Sequence, residues 1–161
     1  MTNYSSYEFY DDEHILTYVY ELNWHLPKDI QLESMDILFH LPPDKVDLLI
    51  PKYSKACWEN AVAVIKKIGY PRNEKALPKL AEQLQDRNWP GALDGIEVFR
   101  DLGNEISTKY IEIECEKAVK ENDADWCEHL FFACESLDII GLDFQNSTTY
   151  NKLKELADSL E

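Results

Sequence analysis

The stretch Cys57-Trp58-Glu59-Asn60-Ala61-Val62-Ala63-Val64-Ile65-Lys66-Lys67-Ile68-Gly69 decides the fold class. Positions 58, 61, 62, 65 and 68 recur at the three- and four-residue spacing of one helix face, and Gly69 supplies the C-terminal cap. Working outward, the same period returns. Asn73 or Glu74 through Leu84 carries Ala76, Leu77, Leu80, Ala81 and Leu84 on one face, with Pro78 in the first turns, where a proline is tolerated. Asn88-Trp89-Pro90 reads as a helix start, with Asn88 as N-cap and Asp86 upstream to serve the positive end. The helix it opens presents Trp89, Ala92, Leu93, Ile96, Phe99 and Leu102 and stops at Gly103-Asn104. Further helices are expected over 107–121, from Asp123 or Asp125 to Leu137, and over 147–160.

The first fifty residues are harder to read. Leu16-Thr17-Tyr18-Val19-Tyr20 is rich in strand formers, yet the frame Ile15, Tyr18, Val19, Leu22 fits a helix from His14 to Leu26 at least as well. A second helix follows over 29–41, and Pro42-Pro43 separates it from a short one over 44–50. Only five glycines occur in the chain, which argues against a turn-rich β protein or a phosphate-cradling loop. The expected fold is all-α, a short stack of antiparallel helix pairs forming a HEAT-like α-α superhelix. The expected organisation is one domain over 1–161, with an N-terminal helical extension at 1–45, a core at 46–140 and a C-terminal helix at 141–161.

An internal repeat supports the stack. Trp58-x-x-Ala61 ending at Ile68-Gly69, Trp89-x-x-Ala92 ending at Leu102-Gly103, and Trp126 ending near Leu137 are spaced by about one helix pair each. A helix pair does not bury its apolar face alone, so such units stack and share a core.

Composition excludes several classes. With 161 residues, 45% of them apolar, the chain is long enough to bury a core without staples. The apolar runs are too short to span a bilayer, and Met1-Thr2-Asn3-Tyr4 lacks the basic and apolar start of a secretory segment, so a cytoplasmic location is expected. Cys57, Cys115, Cys127 and Cys134 are scattered and read as buried small hydrophobes rather than a disulfide framework.

Sixteen Lys and Arg face thirty-one Asp and Glu, a formal net charge of −15. Residues 1–50 hold ten acids against Lys28 and Lys45. Such a surface repels nucleic acid and anionic membranes and attracts cationic partners, although charge alone also serves solubility.

No metalloprotease, serine-hydrolase, Walker or dinucleotide motif occurs, so no catalytic residue is assigned and no cofactor is expected. Cys127-x-His129 with Cys134 is the nearest approach to a metal set, but His129 points away from the face shared by 127 and 134 on a helix. Asp11-Asp12-Glu13 with His14 is read as an acidic helix start rather than a cation site. Glu114 falls within the arc of Ile106, Tyr110, Ile111, Cys115 and Ala118. It must therefore pair with a base such as Arg100, lie at the edge of the stack, or face a partner. The tryptophans, at helical spacing among apolar neighbours, are expected in the core.

Leu48-Leu49-Ile50-Pro51-Lys52, Leu77-Pro78-x-Leu80, Leu84-Gln85-Asp86-Arg87-Asn88-Trp89-Pro90 and Asp123-x-x-Trp126 together resemble a bacterial HEAT-like family carrying only a domain-of-unknown-function label. The resemblance covers roughly residues 45–140, and the D-x-N-W-P stretch is its most specific part. The chain departs from the family after Trp126, where Cys127-Glu128-His129-Leu130-Phe131-Phe132 replaces a pattern rich in Lys and Trp. The resemblance implies stacked helix pairs. Small bacterial proteins of this kind recur as immunity proteins beside secreted toxins, which implies a protein partner, a basic toxin domain, neutralised by occlusion. The expected partner-binding residues are Glu8, Asp11, Asp12 and Glu13, with Glu112, Glu116, Asp123 and Asp125 read as exposed acids. An acidic scaffold or adaptor with no toxin partner is the alternative.

Overall fold

The computed structural model describes residues 8–160; Met1-Thr2-Asn3-Tyr4, where a secretory start was sought, lies outside the described residues. The fold is all-α: among the described residues no strand occurs. The helices are α1 (Asp12–Tyr20), α2 (Lys28–Leu38), α3 (Trp58–Ile68), α4 (Leu77–Gln83), α5 (Ala92–Leu102), α6 (Asn104–Lys120), α7 (Ala124–Ser136) and α8 (Ser147–Asp158). Short 3₁₀ segments occupy Pro43–Leu49, Lys55–Cys57, Glu74–Ala76 and Gly141–Asp143. The chain forms two compact units, the first ending at Lys79 and the second beginning at Leu80, within α4.

In the first unit α1 packs on α2 and α2 on α3, while Pro43–Leu49 packs on α1 and on Glu74–Ala76. Ile15, Val19, Leu38, Val46, Leu49 and Ile65 are fully enclosed. Polar ties cross this core. The Asn60 amide donates to the Leu22 carbonyl at 2.7 Å and to Gln31 Oε1 at 2.9 Å, and Gln31 in turn donates to the Leu26 carbonyl at 2.7 Å. These bonds satisfy carbonyls exposed where α1 has already ended.

In the second unit α6 packs on α5, α7 and α8, and α7 packs on α8. Ile96, Phe99, Ile111, Leu130, Cys134 and Leu153 form its interior. Pairwise packing of successive helices within each unit is the arrangement expected of stacked helix pairs.

Several boundaries differ from those expected, each for a local reason. The first helix begins at Asp12 because Asp11 is its N-cap, accepting the His14 N–H at 2.8 Å, and it ends at Tyr20 rather than Leu26. Asn88 does not cap α5. Asp86 accepts the Asn88 N–H at 2.8 Å on its side chain and the Trp89 N–H at 3.0 Å on its carbonyl, making a side-chain-closed turn that competes with helix. The helix then starts at Ala92, after Gly91 in the left-handed region at φ 84°. This turn is also locked to α7. The Arg87 guanidinium donates to both Glu128 oxygens at 2.8 and 3.0 Å and lies 4.5 Å from the Phe132 ring centroid. The Arg87 backbone N–H donates to His129 Nδ1 at 3.2 Å.

Helix α6 starts at Asn104, three residues before the expected Ser107, because Gly103 closes α5 and opens α6 with no linker between them. Ser107 is consequently buried, donating to the Phe99 carbonyl at 2.6 Å and tying the two helices together. Of the tryptophans in the repeat, Trp58 is buried, its indole N–H donating to the Pro51 carbonyl at 2.7 Å; Trp89 and Trp126 are half-buried.

The repeat is clearer in the glycines than in the tryptophans. Gly69 (φ 76°, ψ 160°) and Gly103 (φ 86°, ψ 159°) share one backbone state after helices of equal length. Aligned on these glycines, buried Ala61, Val62 and Ile65 match buried Gly95, Ile96 and Phe99. Positive φ with ψ near 160° is essentially a glycine conformation. An added Cβ would meet nothing within 4 Å at either position. Gly69→Ala and Gly103→Ala are therefore each expected to lower unfolding free energy by about 1–3 kcal/mol through backbone strain alone. Urea titration of the two variants checks this, and an unmoved midpoint would show that the chain relaxes out of this region at no cost.

Candidate functional site

Of the two groups of acids expected to meet a partner, the one at the start of α1 is partly occupied by structural work. Asp11 is the N-cap, and Asp12 forms an ion pair with Lys45 at 2.8 Å, which raises the lysine pKa through the hydrogen bond and the charge of Asp12. Glu8 and Glu13 are exposed and make no side-chain hydrogen bond or ion pair among the described residues.

The second group divides more sharply. Glu112, expected to be exposed, is only 7% exposed. Both of its carboxylate oxygens are engaged: Oε1 accepts the Gln145 N–H at 2.8 Å and Oε2 the Asn146 N–H at 3.0 Å. These two donors sit just before α8, where a chain entering a helix has N–H groups that the helix itself does not satisfy. Glu112 thus holds the C-terminal segment against α6. Asp123 is half-buried and is the N-cap of α7, accepting the Trp126 N–H at 3.0 Å. Glu116 and Asp125 are exposed, as expected.

Glu114 is buried and pairs with Lys117 at 2.8 Å, one turn along its own helix, not with Arg100. Its hydrogen bond, followed by its charge, raises the Lys117 pKa against the opposing effect of partial burial. Arg100 instead pairs with Glu97 and donates to the Ser136 carbonyl at 2.8 Å. The carboxylate that stood out in the sequence therefore carries a local ion pair rather than an open face.

What the fold does assemble is a groove of about 400 Å³ beside α6, lined by Glu105, Thr108, Lys109, Glu112, Ile113, Glu116, Asp143 and Gln145. Glu105, Lys109, Glu112 and Glu116 follow one another at helical spacing along a single stripe, and the 139–146 segment forms the facing wall. Four acids against one lysine leave the lining strongly negative. Asp143 Oδ2 accepts the Ile140 N–H at 2.8 Å, which fixes the turn that carries it. One apolar side chain, the half-exposed Ile113, belongs to this acid-rich lining; Ile140 and Leu142, the latter 89% exposed, precede Asp143 in the facing segment. Of the expected residues, Glu112 and Glu116 belong here. Glu105 was readable from the stripe, whereas Asp143 becomes part of the site only through tertiary packing.

The four cysteines are buried and unpaired. Burial pushes the Cys127 thiol up to about 11, and a hydrogen bond with Cys134, then burial, holds the Cys115 thiol well above its usual value. At neutral pH a thiol with that pKa is ionised to only about one part in ten thousand, so it is a poor nucleophile. Among the described residues no three His, Cys, Asp or Glu side chains are grouped to hold a metal ion, and no helix is long and apolar enough to cross a membrane. Compared with protein-family models, curated proteins and solved structures, the chain matches none.

Two outcomes follow from these contacts. Glu112→Ala strands two backbone donors and is expected to lower stability by about 2–4 kcal/mol, measured by urea denaturation, whereas Glu116→Ala stays within about 0.5 kcal/mol. Equal effects of the two would contradict the division between structural and surface acids. Native protein is expected to react negligibly with a disulfide reagent such as 5,5′-dithiobis-2-nitrobenzoate, and all four thiols are expected to react in guanidinium. A fast native thiol would overturn the assignment of the cysteines to the core.

Proposed function

We propose that the chain is a non-catalytic binding protein that covers the basic surface of a cationic protein, in the form of an immunity protein that neutralises a bacterial toxin by occlusion. The observation carrying this reading is where the charge lies. Residues 80–161 hold nineteen acids against seven Lys and Arg, a formal net of −12, while residues 1–79 hold twelve against nine, a net of −3. A field of one sign concentrated on one unit raises the encounter rate with an oppositely charged partner. Steering requires acids that are not already neutralised, and Glu8, Glu13, Glu116 and Asp125 are exposed without side-chain partners among the described residues. The half-exposed Ile113 in the α6 groove adds apolar contact area that charge alone does not supply.

The test is capture on immobilised protein from native lysate at low and high salt, followed by co-expression of what is retained. The expected result is a basic protein held at low salt and released at high salt, whose toxicity on its own is relieved by this chain. Reversing Glu8, Glu13, Glu116 and Asp125 to lysine is expected to slow association about tenfold at low salt, with dissociation little changed. A neutral or acidic partner retained regardless of salt would overturn this reading in favour of a scaffold.

A further inference from the structure

The groove along α6 has dimensions as well as charge. Glu105 and Glu116 stand at its two ends, eleven positions apart on one helix, which is about 16 Å at 1.5 Å per residue. Between them lie Ile113, half-exposed, and Lys109, the one base in the lining. Thr108 also lines the groove; it is 4% exposed, and among the described residues its hydroxyl has no hydrogen-bond partner. A buried polar atom with no partner is costly, and here it borders a negative groove that also holds the half-exposed Ile113.

We infer that this groove seats an extended basic segment of a protein partner, two cationic side chains flanking an apolar one at alternate positions. The inference rests on the binding reading above and gives it a place. In an extended chain, residues i, i+2 and i+4 project to one side and span about 13 Å, which long arginine side chains extend to match two glutamates whose backbone positions are about 16 Å apart along the helix. The central apolar residue then lies against Ile113. Glu112 takes no part in the selection, because both of its oxygens are occupied by backbone N–H groups. Glu105 and Glu116 have no such occupation, and Lys109 is the charge an incoming cation must displace. A polyamine would satisfy the carboxylates but carries only a thin methylene chain and no apolar side chain to cover Ile113, and this separates a peptide from a small polycation.

The experiment titrates the ¹⁵N-labelled full chain with acetyl-Arg-Ser-Leu-Ser-Arg-amide, its citrulline counterpart and spermine. The expected result is saturable amide shifts confined to 105–116 and 139–146 with the arginine peptide, much weaker with spermine and absent with citrulline. Glu105→Gln with Glu116→Gln is expected to weaken binding about five- to tenfold, and Lys109→Ala to tighten it about two- to fivefold. Non-saturating shifts spread over the acidic surface, or spermine matching the peptide, would overturn the inference, as would no shift at millimolar peptide. Capture of a basic protein unaffected by the double Gln variant would remove the groove but leave the binding reading standing. Peptide binding at the groove without any captured basic protein would do the reverse.

Discussion

The second unit depends on one buried carboxylate. Helix α6 is its spine, touching α5, α7 and α8, but the 139–146 segment has no helix of its own long enough to hold it in place. Glu112 supplies the hold by accepting two backbone N–H groups at once, from Gln145 and Asn146. A buried carboxylate without partners is strongly unfavourable, and charge-assisted bonds to backbone donors are among the strongest available compensation. The arrangement is reciprocal, because those same N–H groups precede α8 and need acceptors. Once 145 and 146 are fixed, Asp143 and its turn form the facing wall of the groove, and α8 is delivered onto α6 and α7.

This contact also shows where sequence reasoning stops. Helix existence and most of the core faces were legible because apolar spacing reports them: Ala61, Val62, Ile65, Ile96, Phe99 and Leu130 are all buried, whereas Leu93, expected on the face of Ile96 and Phe99, is 55% exposed. Local chemistry that competes with helix was less so. Asp86-Arg87-Asn88-Trp89-Pro90 has the composition of a helix start, yet the same Asp and Asn types close turns, and the outcome turned on Asp86 reaching the Asn88 N–H. The buried arc of α6 was read from Ile106, Tyr110, Ile111 and Cys115, whereas Thr108 and Glu112 are more deeply buried than Ile106 or Tyr110. A segment thirty residues downstream covers that flank, and helical periodicity carries no record of it.

The repeat was visible for a related reason and partly misaligned. Tryptophan is conspicuous, but Trp58 begins α3, Trp89 lies in the turn before α5, and Trp126 is inside the first turn of α7. The equivalent positions are set by backbone geometry instead. Gly69 and Gly103 occupy a region closed to other residues, so they mark the same event, a helix terminated so that the chain can redirect at once. Leu137, which ends α7 at φ −100°, does not share that state, and the third copy is accordingly related to the others in apolar spacing only.

The charge distribution is difficult to account for by solubility alone. A small domain is kept soluble by a net charge of magnitude about 2–8, and excess beyond that adds self-repulsion to the folded state. The second unit carries −12 and places four acids and one base around a single groove. Exposed ion pairs contribute little individually, so bases could have been interspersed here at negligible cost, as they are in residues 51–79 with seven bases and two acids. The acids that do structural work on α6 are identifiable and few: Glu112, on the groove stripe, holds the C-terminal segment, and Glu114, off that stripe, holds Lys117. Among the described residues, Glu105 and Glu116 make no side-chain hydrogen bond or ion pair of that kind. Lys109 offsets part of their repulsion, and an arriving cation would offset the rest, which is the physical basis of the proposal made for this face.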